Sequence, residues 1–202
     1  MLEPIRGEFT SKLPQGANQK VNALEGGIFE VEVLSDTSAL LGKGEPAQDM
    51  EEFLESNVYL DSSDPLIEDL AEKAKGKGKG IAEIAKSLTT FVHRYVASKN
   101  FSVGFASASE VARNREGDCT EHSILLAAMG RAVGIPSRVA TGLVYTKRFQ
   151  DRRDVLVYHM WTQFFVDGKW INYDSALGYE SCPADRILLA VSSLKGEDLI
   201  ES

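Results

Sequence analysis

Gly117-Asp118-Cys119-Thr120-Glu121-His122 is a short polar turn that runs directly into an apolar, helix-forming segment, residues 123–132. Such a turn places Cys119 at or near a helix N-terminus. Free N–H groups and the positive end of the helix dipole favour a thiolate there. A thiolate in that setting is a nucleophile or a metal ligand, and the surrounding chain has to decide which. Residues 123–129 (Ser-Ile-Leu-Leu-Ala-Ala-Met) are apolar nearly all round, so the helix is expected to be central and buried. Gly134-Ile135-Pro136 ends it, with glycine at the C-cap and proline just beyond.

Upstream, residues 46–99 read as helical. A short helix is expected from Gln48 or Asp49 through Glu55. Asp64 before Pro65 signals the start of a second, running to about Lys75. The run Lys75-Gly76-Lys77-Gly78-Lys79-Gly80 lacks the Gly-Lys-Ser/Thr ending and the preceding strand of a phosphate loop, and reads as a solvated connector. Ile81, Ile84, Leu88, Phe91, Val92 and Tyr95 mark an amphipathic helix over 81–97, with His93 beside its apolar stripe in a surface or packing role. A short helical turn is expected over 107–113. Residues 1–45 are poor in helical period, with one alternating strand over 28–34, and read as an N-terminal extension or the remnant of an upstream β-region. Residues 46–202 then form the main domain.

Downstream the chain is strand-like over 138–146, 156–166 and 170–174, with a helical or extended tail over 185–194. Asp167-Gly168 between two of these strands is a two-residue hairpin signal. In that register Val166 pairs with Lys169 and Trp161 lies opposite Asp174. Side chains alternate along a strand, so His159, Trp161, Gln163 and Phe165 share one face with Trp170, Asn172 and Asp174. His159 and Asp174 become diagonal neighbours, roughly 7–8 Å apart at the backbone and within reach of an imidazole–carboxylate hydrogen bond. A buried cysteine helix must pack on this sheet, which brings Cys119 towards His159. The set is a nucleophile, a base and an orienter. The N–H of Cys119 is a natural oxyanion donor, and Asn100 is the candidate for a second.

Other readings compete with this one. His122 follows Cys119 by three residues on the helix, so Cys119, His122, His159 and Cys182 could form a tetrahedral zinc site. Against that, Cys182 has no close partner ligand and the Asp174 pairing goes unused; supporting hydrogen bonds near the site suit Glu121 and His122 better. Trp161 and Trp170 read as packing residues, Trp161 also as a wall of a substrate cleft. Arg131 and Arg138 are expected in structural pairing, and Cys182 as inert.

Composition sets the outer bounds. The 202-residue chain carries a formal net charge of −8 and two cysteines, Cys119 and Cys182. The charge argues against a nucleic-acid binder, with no basic stripe to neutralise phosphates, and does not suggest attraction to anionic membranes. Two cysteines are too few for a disulfide framework at this length, so both are expected as free thiols. No apolar run approaches the roughly 18 residues of a membrane span. The first residues lack the pattern of a signal peptide and the last show no completed element, as in a fragment, so the compartment is open between cytoplasmic and periplasmic or exported.

Four blocks carry a family resemblance: Gly117 to His122, Arg131 to Arg138 (Arg-Ala-Val-Gly-Ile-Pro-Ser-Arg), His159-Met160-Trp161, and Trp170-Ile171-Asn172-Tyr173-Asp174. In this order and spacing the chain resembles the bacterial transglutaminase-like superfamily over about residues 60–195. The resemblance implies an α+β fold with a papain-like core, a cysteine-bearing central helix packed on an antiparallel sheet. It implies Cys119 as nucleophile, His159 as base and Asp174 as third member. No cofactor is implied, and no acidic cluster matches the calcium sites of the animal cross-linking enzymes. The family includes proteases, amidases, cross-linking acyltransferases and inactive binding domains. The expected activity is therefore cysteine-dependent acyl transfer on a peptide or protein amide, as a protease or amidase. The alternatives are a cross-linking transglutaminase and a non-catalytic peptide-binding module.

Overall fold

The computed structural model describes residues 13–41, 50–98 and 105–196. The elements run β1 (Gln19–Ala23), β2 (Phe29–Val33), α1 (Asp36–Leu41), α2 (Pro65–Ala74), α3 (Ile81–Tyr95), α4 (Ala108–Asn114), α5 (Cys119–Ala132), β3 (Ser137–Phe149), β4 (Arg152–Val166), β5 (Lys169–Tyr173) and β6 (Arg186–Ser192). The fold is α+β. Strands β1 and β2 pair as a hairpin, and β5-β4-β3-β6 form a four-stranded antiparallel sheet. The helix expected from Gln48 or Asp49 begins outside the described residues; within them, Glu51–Phe53 forms one 3-10 turn. The tail beyond residue 185 resolves into a strand, β6, which joins the edge of β3.

Helix α5 is the centre of the core. Ile124, Leu125, Leu126, Ala127, Ala128 and Met129 are fully buried, as an all-round apolar pattern requires. Helices α2, α3 and α4 cover one side of it and strands β3 and β4 the other. On β4 the face turned to α5 carries Met160, Phe164 and Val166, which join the helices in one apolar cluster. Thr162 on the same face donates to the Ser123 carbonyl at 3.0 Å. The approach is close: a Cβ on Gly130 would stand 2.2 Å from the Phe164 ring, so the helix needs hydrogen at that position.

The opposite face of the sheet is covered from the N-terminal side. Trp161 packs there with Ala140, Val144 and Leu188. The side-chain amide of Gln19 accepts from the Leu188 N–H (2.8 Å) and donates to the Leu188 carbonyl (2.9 Å), copying a strand neighbour for β6. Asp36, at the start of α1, is buried and accepts from Asn18 Nδ2 (2.6 Å), the Asn172 N–H (3.3 Å) and the Cys182 N–H (2.6 Å). Burial pushes its carboxyl pKa up, against the pull of those donors. Lys169 Nζ donates to the Ala39 and Leu40 carbonyls at 2.9 Å, closing the end of α1. Residues 13–41 are thus tied to the sheet by buried polar contacts.

Candidate active site

The turn before α5 is built to hold Cys119 at the first helical position. Asp118 is the N-cap: its carboxylate accepts from the Thr120 N–H at 2.9 Å and from the Glu121 N–H, while the Glu121 carboxylate accepts from the Asp118 N–H at 2.9 Å. Gly117 has φ 150°, and a Cβ there would stand 2.3 Å from Glu121 Cβ. Only glycine lets Glu121 close the capping box. The Cys119 N–H is not taken by this cap. His122, buried one turn on, has Nδ1 2.7 Å from the Asp118 carbonyl. Glu121 and His122 therefore support the turn, as expected of them.

The hairpin register is the one read from Asp167-Gly168: Val166 pairs with Lys169, Phe165 with Trp170 and Gln163 with Asn172. Both loop residues take the left-handed φ values that a tight hairpin needs (49° and 78°). Asp174 follows β5 directly and is fully buried. His159 Nε2 donates to its Oδ2 at 2.8 Å. With Nε2 committed to a carboxylate, Nδ1 is the ring nitrogen left for Cys119, whose thiol is near enough to help raise the imidazole pKa. The three residues meet although α5 covers the other face of β4. Strand β5 pairs with β4 only over Thr162–Val166, so the ladder ends before His159 and leaves that stretch of β4 without a β5 neighbour.

One residue of the site was not singled out from the sequence. Arg186, buried on β6, donates from Nη1 to the same Asp174 Oδ2 at 3.0 Å and from Nε to Asp185 at 3.1 Å. Its guanidinium lies 5.2 Å from the Trp161 ring centroid. The Leu177 N–H adds a bond of 3.0 Å to Asp174 Oδ1. Burial alone would raise the Asp174 pKa; the bond and charge of His159, the charge of Arg186 and the Leu177 N–H hold it below its ordinary value. A signal existed only in retrospect: an arginine inside an otherwise apolar strand pattern, Arg186-Ile187-Leu188-Leu189-Ala190-Val191.

Burial disfavours the His159 imidazolium, yet its bonds to Asp174 and Cys119 and their charges outweigh that and push its pKa up to about 9. A histidine raised this way stabilises the fold fully below its ordinary pKa of 6.5, and the contribution is lost as pH rises through 9. Urea unfolding of the native chain and of His159→Gln should therefore differ by about 1–3 kcal/mol more near pH 6 than near pH 10. An unchanged difference across that window would refute the protonated pair.

The remaining candidates fall into place. Trp161 is a packing residue, 1 % exposed, donating from Nε1 to Asn172 Oδ1 at 2.7 Å. Arg131 donates to the Ser137, Glu55 and Ser193 carbonyls. Arg138 donates to Gln163 Oε1 at 2.9 Å and stacks 4.0 Å over Trp170. His93 packs with Nδ1 2.8 Å from the Ser175 carbonyl. Cys182 is a buried free thiol whose pKa burial raises. Cys119, His122, His159 and Cys182 do not converge, and among the described residues no group of three or more His, Cys, Asp or Glu could hold a metal ion. Asn100, the candidate second oxyanion donor, lies outside the described residues. Among those residues no helix is long and apolar enough to cross a membrane.

These features define a thiol–imidazole–carboxylate site on a helix-and-antiparallel-sheet core. The chain belongs to the transglutaminase-like superfamily, whose core profile matches residues 66–175, more than half of its length. No curated protein sequence matches it. Among solved structures, a candidate cysteine protease from Cytophaga hutchinsonii is similar at TM-score 0.60 and 18% identity, covering 91% of this chain and 68% of that one. The periplasmic domain of TgpA from Pseudomonas aeruginosa is similar at TM-score 0.49 and 16% identity, over 64% of this chain and 49% of that one. At such identities the first likeness shows the shared fold.

Proposed function

We propose that the protein is a cysteine-dependent acyl-transfer enzyme acting on peptide or protein amides, with water as acceptor. The observation that carries this reading is the imidazole bound to a buried carboxylate, with a helix-start cysteine near enough to help raise its pKa. Cys119 attacks the amide carbonyl as thiolate, with the imidazolium beside it. The Cys119 N–H faces the developing oxyanion. The C–N bond breaks, His159 Nδ1 gives its proton to the departing amine, and a thioester remains. Water then attacks the thioester, His159 takes its proton, and the acid leaves as the thiolate returns. Asp174 keeps Nε2 protonated and balances the imidazolium throughout.

The test is alkylation by iodoacetamide at mildly acidic pH, followed by mass spectrometry. Cys119 should label faster than glutathione under the same conditions, and labelling no faster would sink the activated-nucleophile reading. Profiling against a peptide and amide library, with and without added amines, then separates hydrolysis from transamidation.

A further inference from the structure

Behind the triad, on the face of the sheet turned away from α5, lies a cavity of about 410 Å³ that none of Cys119, His159 and Asp174 lines. Its wall combines Trp161, Trp170, Asn18, Lys169, Arg138 and Arg186, and no aspartate or glutamate lines it. Two polar atoms there are buried without a hydrogen-bond partner: Arg186 Nη2, a donor, and Asn18 Oδ1, an acceptor. Arg186 is 4% exposed. Arg138 is the third observation. Among the described residues it makes no salt bridge, burial lowers its pKa to about 10, and its side-chain partners are Gln163 and the Trp170 ring. Buried charges and buried polar groups are costly unless matched. A cavity that offers an unpaired guanidinium donor, an unbalanced cation and an orphaned acceptor is complementary to an anion that also carries a donor. Sulfate presents only acceptors to Asn18 Oδ1 and fits it poorly. A carboxylate bearing a hydroxyl or amide N–H satisfies both ends, with the two tryptophan rings beside its apolar part.

We propose that this cavity binds a small hydroxy- or amido-carboxylate, and that the ligand acts on the triad through Arg186. That guanidinium holds Asp174 with Nη1, leaves Nη2 unpartnered and lines the cavity, so a carboxylate bound beside it shares its charge. Asp174 then holds the imidazolium of His159 more strongly, and the thiolate–imidazolium pair is more populated. The coupling rests on the acyl-transfer reading; the binding does not.

The experiment is calorimetric titration of the full chain with L-lactate, lactamide and inorganic sulfate. Lactate should bind saturably at one site, with lactamide and sulfate at least about tenfold weaker. Arg138→Met should lose at least about tenfold in lactate affinity with its circular dichroism spectrum unchanged, and unchanged affinity in that folded variant overturns the site. No saturable lactate binding, or equal binding of lactamide or sulfate, overturns the site. In the second arm, saturating lactate should speed iodoacetamide labelling of Cys119 about twofold or more. Binding without that acceleration overturns the coupling, and slow labelling with or without lactate is the separate failure of the triad reading.

Discussion

Cys119→Ala should abolish turnover of whichever amide the library profiling selects, and His159→Ala should lower it by about three to four orders of magnitude. Neither change should unfold the protein. Cys119 is partly exposed at a helix start where alanine is a good helix former, and the His159 side chain is 10% exposed beside the open end of β5. The two substitutions act on one unit, so the double variant should be about as slow as the worse single variant rather than the product of both. Circular dichroism confirms the fold, and steady-state kinetics on one selected substrate read the rest. Native-like turnover by Cys119→Ala would remove this cysteine from the chemistry and leave a peptide-binding role for the cleft.

The second large effect concerns stability. Arg186→Met should destabilise the fold by about 3–5 kcal/mol, because it strips a buried carboxylate of a charge partner held at 3.0 Å. For a chain of this length that corresponds to a fall in Tm of roughly 10 °C. Asp174 would keep only the His159 and Leu177 donors, in a site with no exposure to water. Adding Asp174→Asn to Arg186→Met should recover part of the loss, since the orphaned charge goes with the carboxylate. Urea unfolding of the three variants makes the comparison. A loss below about 1 kcal/mol for Arg186→Met would mean that Arg186 is not what makes the buried Asp174 tolerable.

How far the chain discloses itself depends on the range of each interaction. The Asp167-Gly168 turn sets the pairing of β4 with β5 within about ten residues, so the His159–Asp174 bond is legible from alternation alone. The capping pattern around Cys119 is equally local. Arg186 is different: it reaches Asp174 because β6 pairs with β3, a choice of sheet edge that no short-range signal records. The side of the sheet that α5 covers was also hidden. Parity says which side chains travel together, but both faces of β4 are rich in large side chains: Met160, Phe164 and Val166 on one, Trp161 and Phe165 on the other. The docking of residues 13–41 depends on Gln19 and Asp36, whose amide and carboxylate look like ordinary surface polar groups until their partners 136–169 residues away are known. The β3–β4 ribbon runs farther than its apolar pattern, because Lys147, Arg148, Arg152 and Arg153 continue the ladder with exposed charged residues that alternation does not flag.

The position of Arg186 on β6 has a consequence for how the protein is made. The strand that brings it to Asp174 follows Cys119, His159 and Asp174 in the chain and lies against β3 at the far side of the sheet. During synthesis all three triad residues leave the ribosome before the cation that balances them, and the contact forms only by closing a non-local pairing, the slow kind of step. A nascent chain that stops short of residue 186 already holds Cys119, His159 and Asp174, yet it lacks the cation that pairs with the buried Asp174. The site is therefore assembled in two stages, the cysteine helix and the β4–β5 hairpin first and the cation that balances Asp174 only when β6 docks on β3.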